Sequence, residues 1–172
     1  QLPSPGLQLD DPSTWKSPTN GATYLIVTHP DFYDAVQPLA THRASQGERV
    51  AIVKTEDIYD EFNGGLYGPE AIHDFLTYAY AHWSPQPLYV LMVGDASLDP
   101  KNNRGSSLPD LLPAYYVDTV MFGQAPNDSW YAKVHGDDDY PDLLIGRVTA
   151  RYVSDVSTVV NKVQTYEQSP PA

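Results

Sequence analysis

Four short apolar runs constrain this chain more than any other feature. They are Thr23-Tyr24-Leu25-Ile26-Val27-Thr28, Arg49-Val50-Ala51-Ile52-Val53, Leu88-Tyr89-Val90-Leu91-Met92-Val93 and Leu143-Leu144-Ile145-Gly146-Arg147-Val148. A strand with one wet face alternates apolar and polar residues. A nearly continuous run must be covered on both faces, as in a parallel sheet sandwiched by helices. The segments between the runs carry helical periodicity.

After the first run, Asp31 or Asp34 is placed to cap a helix that shows Val36, Leu39, Ala40 and Arg43 or Ala44 on one face. Gly47 ends it, and Pro38 belongs in its first turn. Thr55 caps a short helix with Ile58, Tyr59 and Phe62 inward. Pro69 opens a third, with Ile72, Phe75, Leu76, Ala79 and Trp83 in a stripe, stopped by Ser84-Pro85-Gln86-Pro87. Ser154 or Asp155 caps the last, whose stripe is Val156, Val159, Val160 and Val163 and whose pattern ends at Glu167. Gly64, Gly65 and Gly68 lack the lysine and the preceding strand of a phosphate cradle and read as a turn. Residues 1–21 are Pro-rich and polar, with Trp15 as one bulky anchor, and read as an arm or linker. Residues 96–114 form a long polar loop, and Leu112–Val117 a possible edge strand.

The order predicts an α/β fold: a small, mostly parallel sheet with helices on both faces. Right-handed crossovers bring the carboxyl ends of the strands to one side, where ligands bind in such folds. Asp95 directly follows the third run and belongs on that side.

A second constraint is electrostatic. Asp137, Asp138, Asp139 and Asp142 crowd into the loop before the fourth run. Crowded carboxylates need solvation, protonation or a cation. Calcium accepts several hard oxygens from carboxylates and carbonyls. Asp138 and Asp142 lie an even number apart and face one way in an extended segment, and Asp95 would add a third carboxylate. A solvated acidic turn is the other reading. The spacing is not that of an EF-hand.

The 172 residues suffice for one domain with a core. With 10 basic against 22 acidic residues, the net charge of −12 repels phosphate backbones and anionic membranes and argues against nucleic acid as a partner. No run is long enough to span a bilayer. The start at Gln1, with no signal peptide in view, is expected of a processed or excised chain. The absence of cysteine removes disulfides, thiolate metal sites and a thiol nucleophile. His29, His42, His73 and His82 have no zinc spacing, Ser97 sits in no nucleophile elbow, and Arg147 reads as a structural ion-pair partner. Asn127-Asp128-Ser129 is a glycosylation sequon, and Trp83 and Trp130 read as core or interface.

Taken together, Tyr89–Asp95, then Gly136-Asp137-Asp138-Asp139-Tyr140-Pro141-Asp142-Leu143-Leu144-Ile145-Gly146-Arg147, then a helix ending Tyr166-Glu167, resemble the gingipain family of cysteine peptidases. Asp57–Phe62 and Asn127–Tyr131 add to the likeness, which covers about residues 22–167. The resemblance implies a caspase-like or flavodoxin-like three-layer α/β/α subdomain over residues 22–168, followed by a tail, 169–172, toward an absent catalytic subdomain. The family's catalytic histidine, in a Gly-His-Gly segment, and its cysteine belong to that second subdomain. Here His135-Gly136 lies in the acidic loop, so no catalytic residue is assigned.

The resemblance further implies a structural calcium site with carboxylates from Asp95, Asp138 and Asp142 and carbonyls from His135 and Tyr140. At position 142 the family varies between Asp and Glu, and the shorter Asp reaches less far. The implied partners are the carboxy-terminal catalytic subdomain and the protein or peptide substrates of a secreted or surface endopeptidase. Two other functions stand beside this one. A receiver-like domain would use Asp95 as phosphoacceptor with magnesium, although Thr28-His29 stand where its acidic pair should be. A calcium-stabilised adhesion module would keep the fold without catalysis.

Overall fold

In the computed structural model, which describes residues 12–105, 108–121 and 123–169, the chain forms six strands and four α-helices. The strands are β1 (Tyr24–Thr28), β2 (Val50–Lys54), β3 (Tyr89–Val93), β4 (Tyr116–Thr119), β5 (Gly123–Pro126) and β6 (Leu144–Val148). The helices are α1 (Tyr33–Ser45), α2 (Thr55–Asn63), α3 (Pro69–His82) and α4 (Val153–Gln168). The four apolar runs supply β1, β2, β3 and β6, which form one parallel sheet in the order β2-β1-β3-β6.

Alternate residues of these strands feed two cores. Leu25, Val27, Val53, Val90 and Met92 pack with Ile58 of α2 and Ile72, Phe75, Leu76 and Ala79 of α3. Ile26 and Val93 pack on the other face with Val36 and Leu39 of α1 and Val156 and Val160 of α4. The three-layer α/β/α architecture read from the runs is therefore the one observed, with the helix stripes turned inward.

Three details differ from the sequence reading. Pro38 is the sixth residue of α1, past the first turn. One backbone bond is forgone there, and the flanking Val36, Leu39 and Ala40, all buried, hold the helix against the sheet. The edge strand placed at 112–117 is shifted: β4 pairs antiparallel with β5 in a hairpin of its own, Tyr116 opposite Pro126. Residues 12–20 are not a loose arm. Glu61 accepts the Trp15 and Lys16 amides at 2.7 and 2.9 Å and the Ser13 hydroxyl, Trp15 donates to Asp57 at 3.1 Å, and the Trp15 carbonyl receives Trp83 at 3.2 Å. This segment straps α2 to the end of α3. Residues 1–11 of the arm and 170–172 of the tail lie outside the described residues.

The end of α4 is clasped to α1. Glu167 accepts Arg43 through two bonds of 2.7 and 2.8 Å, Gln46 at 3.0 Å and pairs with His42 at 2.7 Å. The Arg43 bonds, aided by Gln46 and His42, hold the Glu167 carboxyl down at about 2. A depressed carboxyl stabilises the fold above its ordinary value of 4.5 and loses that contribution as the pH falls toward 2. Thermal midpoints should therefore drop through this window. In Glu167→Gln the drop should be shallower; an identical slope would show that the clasp carries no proton-linked stability.

Candidate functional site: the carboxyl edge of the sheet

β6 places Arg147 on the face that carries Met92, and its guanidinium is nearly enclosed. It donates twice to Asp128, at 2.7 and 2.8 Å, and also to the carbonyls of Gly94 at 3.0 Å, Leu112 at 2.8 Å and Pro113 at 2.9 Å. One side chain thus fastens the end of β3, the return of the long loop and the short helical turn Asp128–Ala132. A planar fork with five N–H donors suits this set, and lysine could not serve it. The loop lies hard on β3: a Cβ on Gly94, at φ +149, would come 2.8 Å from the Leu112 Cβ. The Asp95 carbonyl accepts the amides of Leu111 and Leu112 at 3.0 and 3.2 Å.

The Asp95 carboxylate belongs to this edge. One oxygen receives the Ala96 amide at 3.0 Å and the other the Arg151 guanidinium at 2.6 Å. His29, at the end of β1, turns its ring to accept the Asp31 amide at 3.2 Å and caps the turn before α1. Ser97 is buried and holds the Asp99 amide at 3.0 Å, so neither residue forms a nucleophilic pair. Trp83 is a core residue, and Trp130 stacks between Tyr115, at 4.0 Å between centroids, and His73, at 4.4 Å.

The acidic loop lies at the other end of the sheet. Tyr89 is level with Leu144, and Val93 with Val148. Asp142 precedes that register and Asp95 follows it, so at about 3.3 Å per residue the two are separated by roughly 26 Å along the strands. The convergence of Asp95 with Asp138 and Asp142 expected from the sequence does not occur. Parallel pairing forbids it, because the residue before one strand and the residue after its neighbour sit at opposite edges.

Within the loop, Asp142 receives the Val134 and His135 amides, both at 2.9 Å, and Asp138 receives the Tyr140 amide at 2.9 Å. Asp139 pairs with Lys133 at 2.7 Å, which lowers its carboxyl below the usual range. The His135 ring lies 6.0 Å from that of Tyr80, and the Tyr140 ring is exposed. Among the described residues no three acidic or histidine side chains gather to hold a metal. Asp95 lies too far away to share one shell with Asp138, Asp142 and the carbonyls of His135 and Tyr140. Asp138 and Asp142 terminate loop backbone, a role absent from the sequence reading, and an Asp in a Gly- and Pro-containing loop is the residue type that forms such an Asx turn.

The strand order, the two helical layers and the occupied carboxyl edge define an α/β/α domain of the caspase-like class. The model for peptidase family C25 matches residues 17–172, and the chain belongs to that family. Among solved structures, dimeric latent PorU from Porphyromonas gingivalis is 20% identical with a TM-score of 0.68, over 85% of this chain and 16% of that one. The complex of Porphyromonas gingivalis RgpB pro- and mature domains is 23% identical with a TM-score of 0.63, over 83% and 29%. The Arg-specific cysteine proteinase gingipain R (RgpB) is 23% identical with a TM-score of 0.62, over 86% and 28%. These identities show a shared fold, and the chain spans less than a third of each solved chain. No curated protein matches it in sequence.

Replacing Arg147 by Met would leave Asp128 without its cation and three carbonyls without donors. A loss of about 3–5 kcal/mol is expected in urea unfolding, together with faster proteolysis of residues 96–114. A loss under about 1 kcal/mol would refute the central place given to Arg147.

Proposed function

We propose that this chain is the amino-terminal, non-catalytic subdomain of a secreted gingipain-like cysteine endopeptidase, and that it scaffolds a catalytic subdomain carrying the cysteine and histidine. The observation that supports this most is the open side of the sheet. Among the described residues β6 has a partner strand on one side only. Its outward face carries Leu144, 58% exposed, and Gly146, beside Tyr89, 37% exposed, with Leu88 exposed next to them. With Arg147 turned inward to Asp128, the exposed side chains of this edge are apolar, and such an edge invites another chain to cover it. The second catalytic half is the natural cover, and substrates would then meet the assembled pair.

The missing thiol agrees with this division of labour, since a nucleophile and its base must lie within hydrogen-bond reach of each other. Among the described residues no helix is long and apolar enough to cross a membrane. Secretion rests on family membership. The receiver-like alternative loses its chemistry here: Asp95 is engaged by Arg151, and Thr28 and His29 supply no acidic pair. An adhesion module would share the fold and differ in lacking the second half.

Reading the parent gene beyond this segment is the first test. A Gly-His-Gly segment followed by a strand-ending cysteine is expected, and their absence would sink the peptidase assignment. The second test uses the longer protein. Leu144→Arg should sharply reduce its peptidase activity, yet change the melting of the present chain little, because the site is exposed there. Full activity in that variant would remove β6 from the interface.

Calcium enters the proposal in a narrower form: an ion held by the acidic loop alone, through Asp138, Asp142 and the carbonyls of His135 and Tyr140. The support is the charge of that loop, where Lys133 offsets only Asp139. Millimolar calcium should raise the melting midpoint relative to chelator, Asp138→Ala should abolish the rise, and Asp95→Ala should leave it intact. No rise in the parent chain would end the calcium reading.

A further inference from the structure

The amino edge of the sheet carries a cavity of about 410 Å³, within the size range of small-molecule sites. Its walls are Tyr24 and Tyr89, the first residues of β1 and β3, Arg43 and Gln46 at the end of α1, and Glu48 from the turn into β2. Tyr24 is level with Tyr89 in the ladder, and their rings stand side by side, with centroids 6.0 Å apart and planes inclined by 31°. They make an aromatic floor. Leu144 is level with Tyr89 on its other side, so a subdomain seated on Leu144 meets the side of Tyr89 away from the cavity.

The polar groups of the wall are unequally engaged. Arg43 holds its guanidinium 5.5 Å from the Tyr24 ring centroid and donates to Glu167 and, at 2.8 Å, to the Gln46 carbonyl oxygen. Gln46 donates in turn to Glu167 at 3.0 Å. Glu48 differs. One of its oxygens accepts the Thr23 hydroxyl at 2.5 Å; among the described residues the other accepts nothing, and the Tyr89 hydroxyl has no partner.

These groups narrow the ligand by its chemistry. One guanidinium and one carboxylate leave the wall without net charge. Arg43 repels an ammonium ion from the rings, and Glu48 repels phosphate or carboxylate. A wholly apolar molecule would strip water from Glu48 and the Tyr89 hydroxyl and return no hydrogen bond. A neutral ring with a flat C–H face and several hydroxyl donors meets every demand.

We propose that this cavity binds a sugar in its six-membered ring form, as a unit of a glycan. One face of the sugar rests on Tyr24 and Tyr89, and its hydroxyls donate to the free oxygen of Glu48. The site is separate from any peptidase chemistry and gives the chain a hold on glycan-bearing material.

The test titrates the isotope-labelled chain with methyl glucoside, methyl galactoside and methyl mannoside and follows amide shifts. At least one should give saturable shifts confined to residues 24, 43, 46, 48, 89 and their chain neighbours. Tyr89→Leu keeps the apolar bulk and removes the aromatic face; it should weaken that sugar at least about fivefold, and Glu48→Gln about threefold or more. Both variants should keep the remaining amide spectrum unchanged. No saturable shift from any of the three sugars up to about 50 mM would overturn the site. Cyclohexanol, tetramethylammonium or inorganic phosphate binding there as tightly as the best sugar would overturn the ligand class. The readout uses the present chain alone, so it stands or falls apart from the peptidase assignment.

Discussion

The Arg147 guanidinium is the joint on which the carboxyl side of this molecule depends. A parallel sheet ends in a row of strand termini, and the residues after β3 must run some way before the chain returns as β6. Apart from the β4–β5 hairpin, that connection has no ladder to hold it to the sheet. Arg147 supplies the missing bonds, reaching Asp128 and the carbonyls of Gly94, Leu112 and Pro113 from within β6. The charge is affordable in a nearly enclosed position because every donor direction meets an acceptor. With the loop fixed, the hairpin beside it acquires a definite place.

Charge organises the two ends of the sheet differently. At the carboxyl end the acids either meet guanidinium groups, as Asp95 and Asp128 do, or accept neutral donors, as Asp110 does from Ser97 and Tyr67. At the amino end they sit in an exposed loop and terminate backbone amides. The surplus negative charge is thus spread over separate tasks. The apolar strip of Leu88, Tyr89 and Leu144 lies at the amino end too, beside the acidic loop, and it is the surface that the proposed neighbouring subdomain would cover.

Much of the fold was legible because burial writes a plain pattern. Leu25, Ile26, Val27 and Val53 had to be strand interior, and the stripes of α3 and α4 had to face them. The motif order also pointed to the correct peptidase family. The hairpin was half seen, since Gly123-Gln124-Ala125-Pro126 carries almost no strand propensity and pairs through backbone alone. The strap at Trp15 was missed because its partners Glu61, Asp57 and Trp83 are more than 40 residues away. Asp110 was passed over as one acid in a polar loop. Only the approach of Tyr67, from 43 residues away, gives it a partner.

The sequence by itself determined the layers, the parallel sense of the strands and the absence of a thiol, because hydrophobic periodicity and composition act locally. The tertiary structure alone decided which acids are neighbours. Register is a long-range quantity: with β3 and β6 running the same way, the acid that follows one and the acids that precede the other are held a sheet's length apart, and no local spacing along the chain can bring them together.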